Sequence, residues 1–372
     1  MKQRLEQALL IALHETKGIG WKTIQRFMIN QTFGKHMIDF KEKDWIACGL
    51  SVETARRLSD NLEQWVEDKC RKLTSESYRI ITKLDEGYPY MLKSTPQAPW
   101  VLYLLGNVDL LTEPGIAVVG TRVPTAYGRK VGSILTEQLV KSGLTIVSGM
   151  ARGIDSVAHD AALKSGGHTV AVLGTGIDVI YPPENRALYQ EISEKGLILS
   201  EYPPGTKAHP GFFPQRNRII AGITLGTLVV EADARSGSLI TADAALEAGR
   251  DVFAVPGPIT SPKSRGTLDL IKQGAKLVTC AQDILDEYEW LTEAKQSPFF
   301  KDQQDLSPSV FGTDGLTNDE MEIYDMLQQG PGSLDELLER SGWDFGHLHS
   351  VLLSLIIKKQ ITQLPGALYK II

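Results

Sequence analysis

The chain has 372 residues, which is too long for one small hydrophobic core and predicts two or three domains. Its formal net charge of −6, taken alone, argues against a nucleic-acid partner, because phosphate binding usually requires a basic surface. Its three cysteines form no CxxC pair, which argues against a zinc site and a disulfide framework and favours a reducing cytoplasm.

Residues 1–75 are predicted to form a small helical domain of the SAM or helix-hairpin-helix type. The start, MKQRLEQALLIAL, has the pattern of an amphipathic helix rather than of a signal peptide, and the sequence has no run of 18 apolar residues that would predict a membrane span. Gly18-Ile19-Gly20 falls between two helical stretches, and Gly49 with Ser51 repeats this arrangement. Such turns can present backbone N–H groups to a DNA phosphate or can simply join packed helices, and both interpretations stay open.

The next predicted domain spans residues 80–290, and from about residue 115 to 290 short β-rich runs alternate with helical stretches. This pattern predicts an α/β domain with a Rossmann-like, doubly wound and mostly parallel sheet. In such a sheet the ligand binds at the carboxyl ends of the strands, near the point where the strand order reverses. The predicted strands are Ile116–Val119, Thr145–Val147, Thr169–Leu173, Leu197–Ser200, Leu228–Glu231 and Val252–Val255.

The loop after the first predicted strand has the features of a phosphate site. Gly120 lets the backbone approach a ligand, Thr121 offers a hydroxyl, and Arg122 supplies a planar set of donors where a helix N-terminus already favours an anion. No GxGxxG follows the strand and no GxxxxGK[ST] occurs in the sequence. The nearest match, at residues 174–179, lacks the third glycine and is predicted to be a tight turn.

The loop after the second predicted strand again places small residues and an arginine at a strand end, and its candidate binding residues are Ser148, Gly149 and Arg152. His159, on the following helix, has no partner at metal-ligand spacing, so it is expected to pack or to form a hydrogen bond. Asp155 is expected to cap that helix. The sequence predicts no metal site and no catalytic residue.

Residues 207–222, KAHPGFFPQRNRIIAG, place a pair of aromatic residues just before an Arg-Asn-Arg triplet. Bases that stack on such rings gain about 1–3 kcal/mol each while guanidinium groups hold the phosphates, which is the combination that single-stranded DNA requires. In the alternative interpretation the rings belong to the core and one arginine forms a structural ion pair, since the two arginines point to different faces of a helix. The candidate residues are Lys207, Phe213, Arg216, Asn217 and Arg218.

Ser236, Gly237 and Ser238 precede another predicted helix. A serine at this position can cap the helix, and the same turn can receive a phosphate, so both interpretations stay open. The loop at 256–266 is expected to shape the rim of the same site.

Residues 291–315 carry no periodic pattern and are predicted to be a linker, and residues 316–372 are predicted to form a winged-helix-like domain. Its helices are expected at 317–328, 333–340 and 345–359, and its hairpin around Pro365-Gly366. Residues 301–372 hold eleven acidic and five basic side chains. This acidic balance repels phosphate and favours a protein partner over DNA.

Several blocks of this sequence resemble the DprA/Smf family of DNA-processing proteins in their order and spacing. They include VGTRVPTAYG, SGMARGIDSVAHDAAL, VAVLGTGIDVIYPPENRALY, FFPQRNRIIAG and TLVVEADARSGSLITADAALEAGRDVFAVPG, and they span essentially all of residues 80–290. The resemblance implies a homodimer formed through the Rossmann-like domain. The sequence itself predicts no cofactor, and the cysteine pattern favours a cytoplasmic location. The resemblance also implies that the protein binds and protects single-stranded DNA and helps to load the RecA recombinase during natural transformation.

The family resemblance also implies roles for particular residues. Family members often carry a lysine close before the phenylalanine of the strand-binding segment, whereas Pro210 and Gly211 stand here and Lys207 is the nearest lysine. The residues that match the family's phosphate-gripping turn are Gly120, Thr121 and Arg122, and those that match its strand-binding segment are Phe213, Arg216 and Asn217.

The sequence favours binding without catalysis, through phosphate clamping and base stacking. The alternative is a Rossmann-like nucleotide-processing enzyme of the phosphoribohydrolase type. Those enzymes carry a PGGxGTxxE pattern that supplies a catalytic glutamate, and residues 231–247 here, EADARSGSLITADAALE, have no such glycine run.

Overall fold

The computed structural model describes residues 2–72, 78–288, 316–328, 330, 332–358, 360–364 and 368–371. The chain divides into two compact units, Met1–Leu291 and Thr292–Ile372. The predicted linker at 291–315 and the hairpin turn at Pro365-Gly366 lie outside the described residues.

Four helices open the first unit. They are α1 (Lys2–Glu15), α2 (Trp21–Ile29), α3 (Glu42–Ala47) and α4 (Val52–Lys72). The six residues from Ala8 to Leu13 of α1 are all buried, which is the pattern of a helix covered on every side. These helices share a hydrophobic cluster with Tyr103, Leu173 and Ile198 of the neighbouring sheet. The helices at the N-terminus therefore share a core with the sheet.

A nine-stranded sheet forms the centre of the first unit. Its strands are β1 (Arg79–Thr82), β2 (Val101–Gly106), β3 (Gly115–Val119), β4 (Thr145–Ser148), β5 (Thr169–Leu173), β6 (Leu197–Ser200), β7 (Gly226–Val229), β8 (Asp251–Ala254) and β9 (Lys276–Leu277). Their order is β1-β2-β6-β5-β4-β3-β7-β8-β9. β2 pairs antiparallel with β1 and β6, and the other neighbours pair in parallel.

The predicted doubly wound, mostly parallel sheet is confirmed, and each of the six predicted strands lies within two residues of its observed ends. β1, β2 and β9 were not predicted from the sequence. Because β1 and β2 form an antiparallel pair, they lack the alternation of strand and helix from which the other strands were predicted. β9 has two residues, which is too short to show a pattern.

Helices cover both faces of the sheet, which explains why β3 and β5 are buried along their whole length. One hydrophobic cluster places α9 and α10 on one face, and another places α6 and α7 on the opposite face. The helices that follow α4 in this unit are α5 (Tyr90–Lys93), α6 (Ala126–Lys141), α7 (Ile154–Lys164), α8 (Arg186–Lys195), α9 (Phe212–Gly222), α10 (Gly237–Glu247), α11 (Arg265–Lys272) and α12 (Gln282–Leu285).

The strand order reverses at β3. From β3 the chain moves through β4 and β5 to β6 on one side, and then returns to β7 on the other side of β3. The loops that leave β3 and β7 therefore diverge and open a crevice at the carboxyl end of the sheet.

The second unit has the predicted winged-helix-like fold. Ser333 and Glu336 form a capping box at the start of the second helix of this unit. A three-stranded sheet in the order β10-β12-β11 packs with three helices. The elements are α13 (Asn318–Gln328), β10 (Gly332–Ser333), α14 (Leu334–Ser341), α15 (Phe345–Ile357), β11 (Ile361–Leu364) and β12 (Leu368–Ile371).

Candidate functional site

A cavity of about 460 Å³ opens where the strand order reverses, between the loops that follow β3 and β7 and the starts of α9 and α10. Its position is the one that a doubly wound sheet predicts for a ligand. Nine of the candidate binding residues line it, and they are Gly120, Thr121, Arg122, Phe213, Arg216, Asn217, Ser236, Gly237 and Ser238.

A second, narrower cavity adjoins the first. Gly149 and Arg152, two more of the candidate residues, line this second cavity. Both cavities are bordered by the side chains of Arg122, Phe213 and Arg216. Loops that are far apart in the sequence therefore meet at one place.

Arg122 and Phe213 form the contact that joins the β3 loop to α9. The guanidinium carbon of Arg122 lies 5.8 Å from the centroid of the Phe213 ring, within the range of a cation–π contact. The Arg122 side chain is exposed and the Phe213 ring is half-buried. This pair places a charged donor group beside an aromatic ring at the mouth of the cavity.

Arg216 is 4% exposed, and its guanidinium donates to the carbonyl oxygens of Gly149 and Val172. Burial lowers the pKa of Arg216 to about 10, against the opposing effect of the nearby Asp155 charge. Burial also raises the pKa of Asp155, and the positive charge of Arg216 opposes that shift. Arg216 therefore borders the cavity. Its hydrogen bonds also connect α9 to β5 and to the residue that follows β4.

Two glycines make room for these side chains. A Cβ atom on Gly149 would lie 2.6 Å from the guanidinium of Arg216, and one on Gly174 would lie 2.7 Å from the Phe213 ring. Gly149 was predicted from the sequence as a binding residue, and Gly174 as part of a tight turn. At both positions the space that a Cβ atom would need is filled by the chain's own side chains.

The turn before α10 holds Ser236 and Ser238. Ser236 is the N-cap of α10, and its hydroxyl oxygen accepts from the backbone N–H of Ser238. The Asn217 amide donates to the carbonyl of Gly237 over 3.3 Å, which links α9 to this turn. The predicted capping is confirmed, and a phosphate at the same turn stays a proposal.

Ser148, Lys207 and Arg218 lie outside both cavities. The Ser148 hydroxyl is buried and donates to the carbonyl of Val118. Arg218 binds both carboxylate oxygens of Glu201. Arg218 therefore matches the alternative interpretation of the Arg-Asn-Arg triplet, in which one arginine forms a structural ion pair.

Lys263 and Tyr181 also border the site, although neither was selected from the sequence as a binding residue. Lys263 lines the larger cavity, and Tyr181 lines the narrower one. Lys263 belongs to the 256–266 loop, which was expected to shape the rim. Tyr181 follows the glycine turn at 174–179. The residues of the β5–α8 loop contain no motif that would predict its place at the site.

His159 is fully buried, and its Nδ1 lies 2.6 Å from the Thr169 hydroxyl, which confirms the expected hydrogen-bonding role. The expectation that Asp155 caps α7 is wrong, because Gly153 is the N-cap and Asp155 lies inside the first turn. The Asp155 carboxylate instead accepts from the backbone N–H of Ala151 in the preceding loop.

Among the residues that the structure describes, no three potential metal ligands cluster together. None of the described helices is long and apolar enough to cross a membrane.

Comparison with protein families gives two matches. The family described as DNA recombination-mediator protein A matches residues 79–289, and the DprA winged helix domain matches residues 308–367. Among curated relatives, Protein Smf of Synechocystis sp. is 35% identical over an alignment that covers 98% of this chain and 98% of that protein.

Two solved structures are also similar. The X-ray structure of DNA processing protein A from Streptococcus pneumoniae has 38% sequence identity and a TM-score of 0.67, and the match covers 76% of this chain and 97% of that chain. DNA processing protein A from Helicobacter pylori, whose structure is described as giving insight into a unique single-stranded DNA binding mode, has 31% identity and a TM-score of 0.53. That match covers 58% of this chain and 97% of the other.

Proposed function

This chain belongs to the DNA recombination-mediator protein A (DprA/Smf) family, and on that premise we propose that it binds single-stranded DNA in the crevice between β3 and β7. The observation that carries the proposal is the contact of Arg122 with Phe213 at the mouth of this crevice. A guanidinium beside an aromatic surface can hold a phosphate while a neighbouring base stacks on that surface.

Phosphates are held by groups around the larger cavity. The β3 loop contributes Thr121 and the exposed Arg122, the 256–266 loop contributes Lys263, and the turn at Ser236 contributes the N-terminus of α10. These groups supply guanidinium and ammonium charges together with hydroxyl and backbone donors. With about three phosphates neutralised, log K falls with log salt at a slope near −2 for a single strand.

The proposed mechanism makes and breaks no covalent bond. The alternative, an enzyme that cleaves nucleoside monophosphates, is favoured by one observation, the buried carboxyl of Asp155 in the wall of the larger cavity. Burial raises the pKa of this carboxyl, as in a general acid. Incubation of the protein with nucleoside monophosphates tests the alternative function. Release of free base would support an enzyme, and no release would support binding without catalysis.

The biological role that we propose is based on the family resemblance. We propose that the protein acts in the cytoplasm during natural transformation, protects incoming single strands and helps to load RecA on them. The three cysteines are free in the structure, which fits a reducing compartment.

The direct test measures the binding of labelled single- and double-stranded oligonucleotides across a series of salt concentrations. We expect the wild type to prefer single strands. We expect Arg122→Ala to bind more weakly, with a salt slope less steep by about 0.7, because one phosphate contact is lost.

The matched control is Arg79→Ala, which removes an exposed arginine from the edge strand β1. Its affinity should equal that of the wild type. Equal affinities of wild type and Arg122→Ala would show that Arg122 does not contact the DNA. The proposal would then lose the observation on which it depends.

A further inference from the structure

We propose that Tyr181, on the loop between β5 and α8, forms the outer surface on which a DNA base stacks, with Phe213 supporting it from behind. This inference rests on the proposed function and names a residue that neither the motifs nor the family match assigns to binding. Four kinds of observation carry it: the exposure of the two rings, their contacts, the space beside them and the anchoring of the loop.

Tyr181 is 42% exposed, whereas Phe213 is half-buried. The two ring centroids lie 5.3 Å apart and the ring planes are inclined by 35°, which is the separation of an aromatic pair. The Phe213 ring also contacts the Arg122 guanidinium and the backbone at Gly174. Phe213 is therefore packed among the chain's own groups, and Tyr181 is the ring of the pair that extends farther into solvent.

The narrower cavity beside these two rings is too small to hold a base. The narrower cavity, lined by Arg122, Tyr181 and Phe213, measures about 30 Å³. A cavity of this size holds one or two water molecules. A base consequently stacks on the outer face of Tyr181, while the neighbouring phosphate reaches the larger cavity, whose wall includes Arg122 and Phe213.

The loop that carries Tyr181 is anchored close to this ring. The Asn185 amide donates to the carbonyl of Met150 over 2.8 Å and lies 2.9 Å from the Ser156 hydroxyl. The carboxylate of Glu184 pairs with Arg152 at 2.5 Å. These contacts join the β5–α8 loop to the β4–α7 loop, so the Tyr181 ring is positioned before DNA binds and less ordering entropy is lost on binding.

The test compares Tyr181→Ala and Tyr181→Phe with the wild type on two probes, a 20-nucleotide dT strand and an abasic strand of the same length. Because stacking contributes about 1–3 kcal/mol per base, Tyr181→Ala should weaken dT binding about fivefold or more. Its affinity for the abasic strand should equal that of the wild type. Tyr181→Phe should retain dT binding, because its ring still presents a stacking face.

Tyr90→Ala is the matched control, since Tyr90 is 74% exposed and lies on α5, outside both cavities. It should bind both probes as the wild type does. Equal losses for both probes in Tyr181→Ala, or no loss for either, would overturn the inference while leaving the proposed function in place. Failure of the wild type to bind dT would instead overturn the proposed function, and the inference with it.

Discussion

Arg216 and Arg218 lie two positions apart on α9 and have different surroundings. Arg216 points inward to the carbonyls of Gly149 and Val172, and Arg218 pairs with Glu201. Helical spacing predicts that two such residues point to different faces. The partners of both arginines come from other segments of the chain, so the triplet itself could not reveal them.

Arg218 forms an ion pair with Glu201 that is largely shielded from solvent. The side chains of Arg218 and Glu201 are 22% and 10% exposed, so Arg218→Met leaves a largely buried carboxylate without its partner. We expect the free energy of unfolding, measured with urea, to fall by about 1–3 kcal/mol. Affinity for single-stranded DNA should stay unchanged. Unchanged stability together with weaker DNA binding would contradict this expectation and would show that Arg218 contacts the DNA.

Burial, with a smaller effect from the charge of Arg216, lowers the pKa of His159 from 6.5 to about 3. Below pH 6.5 the unfolded chain therefore takes up a proton that the folded chain does not. His159 should lower the free energy of unfolding by about 1.4 kcal/mol for each pH unit below 6.5, until the pH reaches the pKa of the folded state.

Urea denaturation between pH 7 and pH 4 tests this expectation. His159→Asn should lose that part of the pH dependence, and the exposed His36→Asn should keep the wild-type profile. Parallel pH profiles for wild type and His159→Asn would show that His159 is not protonated on unfolding.

Among the elements, the alternation of apolar runs with helical stretches was enough to predict β3 to β8. It also predicted that the site lies at the carboxyl ends of these strands. The docking of the N-terminal helices was not predictable, because it depends on contacts between distant segments. The Trp21 indole donates to the carbonyl of Ala98, and the Trp100 indole donates to the carbonyl of Trp21. The Tyr103 hydroxyl donates to Glu15 over 2.9 Å.

The same limit applies to the site. Motif chemistry identified the β3 loop, the start of α9 and the turn before α10, since glycine, arginine and serine at strand ends carry a local signal. Tyr181 could not be identified in this way. Its place in the site depends on the packing of the β5–α8 loop against the β4–α7 loop.

Trp21 and Trp100 pack against each other where the N-terminal helices meet the sheet. Trp100 is 8% exposed, and its ring centroid lies 6.2 Å from that of Trp21. Trp100→Ala should destabilise the first unit by about 3 kcal/mol and should raise amide hydrogen exchange in α1 and α2. Faster exchange confined to β2, with α1 and α2 unaffected, would contradict a shared core.

Across the whole molecule, the proposed site in one crevice would hold few phosphates, and a dimer that pairs two crevices would raise the overall affinity for a strand by avidity. We expect a homodimer formed through the Rossmann-like domain. The two-residue edge strand β9, where Leu277 is 45% exposed, is a candidate part of its interface. Light scattering after size exclusion should show a dimer at micromolar concentration, and a monomer under these conditions would count against it.

The acidic second unit has a different expected role. Residues 301–372 hold eleven acidic and five basic side chains, which disfavours phosphate binding. Within this unit Lys358 already pairs with the buried Glu320. We therefore expect the winged-helix-like domain to bind a protein partner rather than the DNA strand.

We propose that a single strand crosses the crevice at the carboxyl ends of β3 and β7. Photocross-linking with an oligonucleotide that contains 5-iodouracil, followed by mass spectrometry of the peptides, locates the strand, because the excited base reacts with the aromatic ring on which it stacks. We predict adducts on Tyr181 or Phe213. Adducts confined to residues 2–72 or to residues 316–371 would contradict it.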